Sequence, residues 1–286
     1  MFAKSPQRHF EVSVSFPQGT KEVYGTLTCP YPQIQPVPLV AILLPSPNPV
    51  SPSDPTQSHK LLSHHLADNN VTTIRWNKDQ LESHTLGEYV DQVVSALKWV
   101  YETSTSSLFL SPYPNFILVG TGECSYAMGP VFQALKAVGL KRLVSGIIYI
   151  GGFGETLSNA EWDALLADPK NDGLAVVKSG GLLGRNVPLG WYKEMKDESV
   201  LKGCADIDCR VLVAGGALDA KHDTAKQCTK ARVREVLPKA DKVDLCVIPK
   251  MNEHLRDVSG TLSGSTLSEG LAEILTEWLA NVVQEE

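Results

Sequence analysis

At 286 residues the chain is long enough to bury a full core, as one large α/β domain or two smaller ones. It is mildly acidic, with net charge -6 and a pI near 5.7, and its cationic residues are scattered, which argues against the basic stripe a nucleic acid requires. No apolar run is long enough to span a bilayer, so neither nucleic acid nor membrane is an expected partner.

The six cysteines (Cys29, Cys124, Cys204, Cys209, Cys228 and Cys246) include no close C-x-x-C pair. They fit reduced thiols in a cytosolic protein better than a disulfide framework or a zinc site. Residues 1–16 mix charged and apolar side chains, so no secretory leader is expected. The expectation is a cytoplasmic protein with no metal and no cofactor.

In chain order, His9 to Ser15 and Val23 to Cys29 alternate polar and apolar residues around a turn at Pro17-Gln18-Gly19, which predicts an antiparallel hairpin at a sheet edge. A proline-rich connector leads to Pro38 to Leu44, apolar on both faces and therefore a buried parallel strand. Ser58 to Ala67 predicts a helix, with Leu61, Leu62 and Leu66 on one side, and Val71 to Trp76 the next strand. Leu86, Val90, Val93, Val94, Leu97 and Tyr101 fall at helical spacing. Glu102 to Pro114 reads as an exposed loop.

Phe116 to Val119 is another buried strand, and Glu123 to Val138 a helix that Gly129-Pro130 must kink or begin. Leu143 to Ile150 follows as a strand. Between Gly151 and Gly203 the rhythm breaks. A short helix at Asn159 to Ala167 and another at Trp191 to Leu201 flank a mixed, glycine-bearing stretch with no strong strand. This segment, 151–203, reads as a cap or lid inserted into a single domain spanning 1–286. Strand Arg210 to Ala214, helix Ala225 to Leu237, strand Lys242 to Ile248 and helix Thr266 to Val283 complete the chain. Strand and helix in alternation mean an α/β fold with a mostly parallel sheet, helices on both faces, and right-handed crossovers.

Three features occur in a telling order. A strand runs into the glycine-rich turn Gly120-Thr121-Gly122-Glu123-Cys124-Ser125. Asp219 follows a strand and a glycine pair, and His254 lies in the loop between the last strand and the last helix. In this the chain resembles the α/β-hydrolase superfamily over nearly its full length, with the family's order of nucleophile elbow, acid and histidine. The resemblance implies that His254 is general base and later general acid, and that Asp219 holds its imidazole. Asp219 also reads as a helix cap or loop residue, and Asp223 fits the acid role equally well. His222, in the acid loop, is a weaker competitor for the histidine. His64 and His65 read as structural or exposed, and His84 as a loop residue able to line a pocket.

The elbow departs from the family's G-x-nucleophile-x-G spelling. In the register that starts at Gly120, Gly122 takes the nucleophile's place and Cys124 replaces the second glycine. In a register that starts at Gly122, Cys124 is the nucleophile, an opening similar to that of dienelactone-hydrolase relatives, but Tyr126 then stands where a small residue is wanted. Ser125 is a third candidate. Cys124 and Ser125 also read simply as small residues filling a tight turn.

The implied oxyanion donors are the backbone of Glu123, just after the apex, and Ser46 or Asn48 in Pro45-Ser46-Pro47-Asn48-Pro49, whose prolines donate nothing. A dinucleotide-binding reading fails because Ser125 stands where the third glycine of G-x-G-x-x-G belongs. Two functions are therefore expected of this fold. One is hydrolysis of a small ester, thioester or lactone through an Asp219–His254 pair with an unorthodox nucleophile. The other is a catalytically degenerate fold that binds a ligand or protein. A small-molecule acyl substrate or ligand is the expected partner.

Overall fold

Four strands in the middle of the chain carry apolar side chains on both faces, and they form the centre of one eight-stranded sheet. The computed structural model describes residues 8–31, 39–45, 55–76, 85–107, 110–154, 160–174, 176–179, 185–187, 189–257 and 266–284. The strands are β1 (His9–Gln18), β2 (Lys21–Pro30), β3 (Leu39–Leu43), β4 (Thr72–Trp76), β5 (Asn115–Thr121), β6 (Val144–Ile150), β9 (Arg210–Gly216) and β10 (Val243–Ile248), with a separate pair, β7 (Val177–Ser179) and β8 (Arg185–Val187). Their order across the large sheet is β1-β2-β4-β3-β5-β6-β9-β10. In this large sheet the β1–β2 and β2–β4 pairs are antiparallel and the other five pairs are parallel.

The helices are α1 (Pro55–Asp68), α2 (Leu86–Thr103), α3 (Met128–Ala137), α4 (Ala160–Ala167), α5 (Leu189–Met195), α6 (Ser199–Lys202), α7 (Thr224–Gln227), α8 (Lys230–Val236) and α9 (Glu269–Gln284). Strand parity decides which helices each strand residue meets. Leu39, Ala41 and Leu43 of β3, Ile117 and Val119 of β5, and Leu212 and Ala214 of β9 pack with Leu62 and Leu66 of α1 and with Leu271, Leu275 and Trp278 of α9. The alternate residues, such as Val40, Ile42, Phe116, Leu118, Val211 and Val213, join the core that holds α2, α3 and α8. The sheet is thus covered on both faces. A glycine seats one of these layers: a Cβ on Gly146 of β6 would lie 2.6 Å from the ring of Trp278.

The structure adjusts several predicted boundaries. The hairpin strands run longer and turn at Gly19 and Thr20, with Gly19 at φ +60; Pro17 is tolerated because β1 is an edge strand. Pro130 lies in the first turn of α3, where its missing N–H costs nothing, and Gly122–Ala127, just before α3, form a 3-10 turn instead of more helix. The single helix expected over 225–237 is two: Asp223 caps α7 by accepting from the Lys226 N–H, and Thr229 caps α8 by accepting from the Arg232 N–H.

Residues 177–179 and 185–187, in a stretch read as having no strong strand, form the antiparallel pair β7–β8. The flanking segment contributes Trp162, Trp191, Tyr192, Met195, Val200 and Cys204 to the same core as α2 and α3. It comes close to α3, where a Cβ on Gly129 would lie 2.6 Å from the Val200 carbonyl oxygen and 2.9 Å from the Cys204 nitrogen.

Candidate active site

The chain leaves β5 through Gly120 and Thr121 and turns sharply at Gly122 into the 3-10 turn that precedes α3. Gly122 has φ +52, in the left-handed region that disfavours any residue with a Cβ. This is a sharp strand-to-helix turn similar in form to a nucleophile elbow, and its apex is a glycine.

Neither neighbouring candidate nucleophile reaches the apex. Cys124 and Ser125 are each 1 % exposed. Cys124 packs in the α2–α3 core with Tyr89, and burial, reinforced by the charge of Glu123, pushes its thiol up to about 12 against the opposing hydrogen bonds from Thr121. Ser125 turns back under the strand: a Cβ on Gly120 would lie 2.8 Å from its Cα and 3.1 Å from its Oγ. That Oγ has no hydrogen-bond partner among the described residues. Glu123, half-buried, follows the apex directly. Ser46 and Asn48 lie outside the described residues, although the entrance to their loop is pinned: Leu44 N–H donates to the Val119 carbonyl at 2.9 Å, and the Tyr89 hydroxyl donates to the Pro45 carbonyl at 2.9 Å.

The histidine that faces the apex is His222. A Cβ on Gly122 would lie 3.5 Å from His222 Cε1. Asp219 orders this ring completely. Its Oδ1 accepts from the backbone N–H of Lys221 at 2.8 Å and of His222 at 3.0 Å, while Oδ2 lies 2.9 Å from His222 Nδ1. Both side chains are only 6 % exposed. Burial alone would raise the Asp219 carboxyl, but the hydrogen bond and charge of His222 and the two N–H donors outweigh it and hold it below its ordinary value. An ionised carboxylate only accepts, so Nδ1 carries the proton, and neutral imidazole then keeps its lone pair on Nε2. No hydrogen bond occupies Nε2 among the described residues.

Glycines make room for this arrangement. A Cβ on Gly151, at φ +72 just past β6, would lie 3.3 Å from both Asp219 Oδ2 and His222 Nδ1. A Cβ on Gly152 would collide with the Gly122 carbonyl oxygen. Asp223, the alternative acid, is an exposed helix cap.

Asp219 and His254, expected to form a pair, share no hydrogen bond or ion pair among the described residues. The His254 side chain is 48 % exposed, with Nε2 3.6 Å from Glu253 Oε1. The cause is local. Asn252 Oδ1 accepts from the N–H groups of His254 and Arg256, Leu255 adopts φ +59 and buries its side chain, and Ser58 Oγ donates to the His254 carbonyl. Sending Leu255 inward sends His254 outward.

Next to the turn, against the last residue of β5, stands a residue that no motif pointed to. His59 of α1 is buried, and its Nε2 lies 2.8 Å from Thr121 Oγ1. Burial, helped by the charge of Arg75, lowers its pKa to about 4. The signal was present: His59 continues the Leu62–Leu66 stripe of α1 at helical spacing, and Thr121 shares the β5 parity of Ile117 and Val119, which face that helix.

Among the described residues no group of three His, Cys, Asp or Glu side chains gathers to hold a metal ion. No helix there is long and apolar enough to cross a membrane.

The sequence matches no family model and no curated protein. Solved structures match closely in shape. Est1E from Butyrivibrio proteoclasticus superposes with a TM-score of 0.65 at 14% identity, over 95% of this chain and 99% of that one. The esterase domain of a Rhodothermus marinus protein gives 0.62 at 15% identity, over 96% and 99%. Carboxyl esterase 2 from the mycorrhizal fungus Tuber melanosporum gives 0.62 at 12% identity, over 98% and 88%. The chain has the α/β-hydrolase fold.

Proposed function

We propose that the protein binds a small carbonyl-bearing ligand at the glycine apex of the elbow without forming an acyl-enzyme. One observation carries this reading. The apex residue is Gly122, and the two side chains behind it, Cys124 and Ser125, are each 1 % exposed. An attacking atom must come within about 3–3.5 Å of the carbonyl carbon, and a glycine offers none.

The ligand class rests on the structural neighbours. Several are described as esterases, and one structure of Est1E holds ferulic acid. A carboxyl or ester carbon is the shared chemistry. In this reading residues 151–203 are the cap over the site.

The test has two arms. Intact-mass analysis after treatment with a fluorophosphonate probe or with p-nitrophenyl acetate is expected to show no adduct. A panel of small carboxylates and esters that includes ferulic acid is expected to raise the melting temperature. An adduct mapped to Cys124 or Ser125 overturns the reading in favour of covalent hydrolysis, and a panel without any shift removes the binding claim.

A further inference from the structure

Asp219 and His222 make a base-and-orienter pair aimed at an apex that has no nucleophile. We infer that His222, held by Asp219, is a general base that activates water against a carbonyl bound over Gly122, so that the site hydrolyses small esters with good leaving groups directly. This rests on the reading of a carbonyl ligand at the apex and adds a reaction to it.

The geometry supplies three of the requirements for such chemistry. The base has an open nitrogen, Nε2, because Nδ1 is committed to Asp219 at 2.9 Å, and the ring carbon between the two nitrogens, Cε1, lies 3.5 Å from the apex Cβ position. The orienter is fixed by two backbone N–H groups and cannot swing away. The pair is enclosed, each side chain being 6 % exposed, so their interaction is weakly screened. Gly122 and Gly151, which flank the imidazole, present no side chain to it.

The step balances without any further reagent. As the water oxygen bonds to the acyl carbon, a water proton passes to His222 Nε2. The tetrahedral adduct then breaks its bond to the leaving oxygen, which takes that proton from Nε2. Ester plus water give acid plus alcohol, and the histidine returns neutral. With no covalent intermediate to divide the barrier, a phenolate-type leaving group is the one this site can expel.

Asp219 acts here as a positioning residue, whereas His254, outside the pair, takes no part. Hydrolysis of p-nitrophenyl acetate by the intact chain is therefore expected to show no burst and a normal solvent deuterium isotope effect. His222→Gln is expected to lower turnover by about two orders of magnitude or more. Asp219→Asn should reduce kcat while leaving KM within about twofold, a split that general unfolding does not produce.

A second experiment does not depend on native turnover. Gly122→Ser places a hydroxyl beside His222, with a left-handed serine backbone at φ +52. This variant should gain fluorophosphonate labelling, lose it on adding His222→Gln, and keep it on adding His254→Gln. Labelling or turnover that needs His254 and not His222 overturns the inference, as does a Gly122→Ser variant that folds and stays unlabelled. Ligands that shift the melting temperature with no turnover also overturn it, yet leave the binding reading intact. A panel without any shift removes both.

Discussion

Acidification tests the buried histidine beside the elbow. His59 is held neutral by burial, with a folded-state pKa near 4 against an ordinary 6.5. The unfolded chain therefore takes up this proton first as pH falls. The sign follows from linkage: the contribution is fully present above 6.5 and is lost progressively as pH falls through the folded value near 4. At 1.36 kcal/mol per pKa unit, the whole window amounts to roughly 3 kcal/mol, and about 2 kcal/mol of it is gone by pH 5.

His64 and His65 are also lowered by burial and act in the same direction, so the raw pH dependence is not diagnostic. The comparison of wild type with His59→Gln is. Glutamine retains a group able to hydrogen-bond the Thr121 hydroxyl but does not titrate. Urea unfolding at pH 7.5 and pH 5 should show the wild type losing about 2 kcal/mol more than the variant. Equal losses in the two proteins would refute the assignment of His59 as a buried neutral base.

Other consequences are equally direct. Gly152→Ala should destabilise by at least about 2 kcal/mol in urea melts, because its Cβ collides with the Gly122 carbonyl and its φ of +68 is left-handed. Gly129→Ala should cost about 1–3 kcal/mol by driving α3 away from the backbone of residues 200–204. Cys124, buried and with its thiol at about 12, should resist iodoacetamide at pH 7.5 in the native protein and react once unfolded, as peptide mapping would show. Asp219→Asn should abolish a stability increment that is fully present above the ordinary carboxylate pKa and lost as pH falls through the lower folded value. Parallel acid titrations of the two proteins followed by circular dichroism check this.

The sheet was legible because β3, β5, β6 and β9 are apolar on both faces, a pattern that only a doubly covered parallel strand requires. β7 and β8, at three residues each, are too short for alternation to register. The break between α7 and α8 was encoded in the capping residues Asp223 and Thr229, which an apolar stripe alone passes over.

The site was harder to read. Chain order placed an acid and a histidine at the right strand ends, but spacing does not tell which way a loop side chain points. That direction was decided by Leu255 turning inward beside His254, and by Asp219 binding the backbone of Lys221 and His222 and so folding His222 back onto itself. His59 was overlooked because a histidine within an apolar stripe resembles ordinary core. The glycine reading of the elbow needed no side-chain direction, and Gly122 holds the apex.

The strand order has a consequence for how durable this site is. From β3 the chain winds outward to β4, whereas from β5 it winds the other way to β6, and β3 and β5 are neighbours. Sheets of this kind bind ligands in the crevice at such a reversal point. That crevice is a product of winding and not of any catalytic side chain. Gly122, at the end of β5, offers no attacking atom and takes up no room with a side chain. At the end of β5 that reversal point stands beside the Thr121–His59 hydrogen bond and the Asp219–His222 pair that faces Gly122.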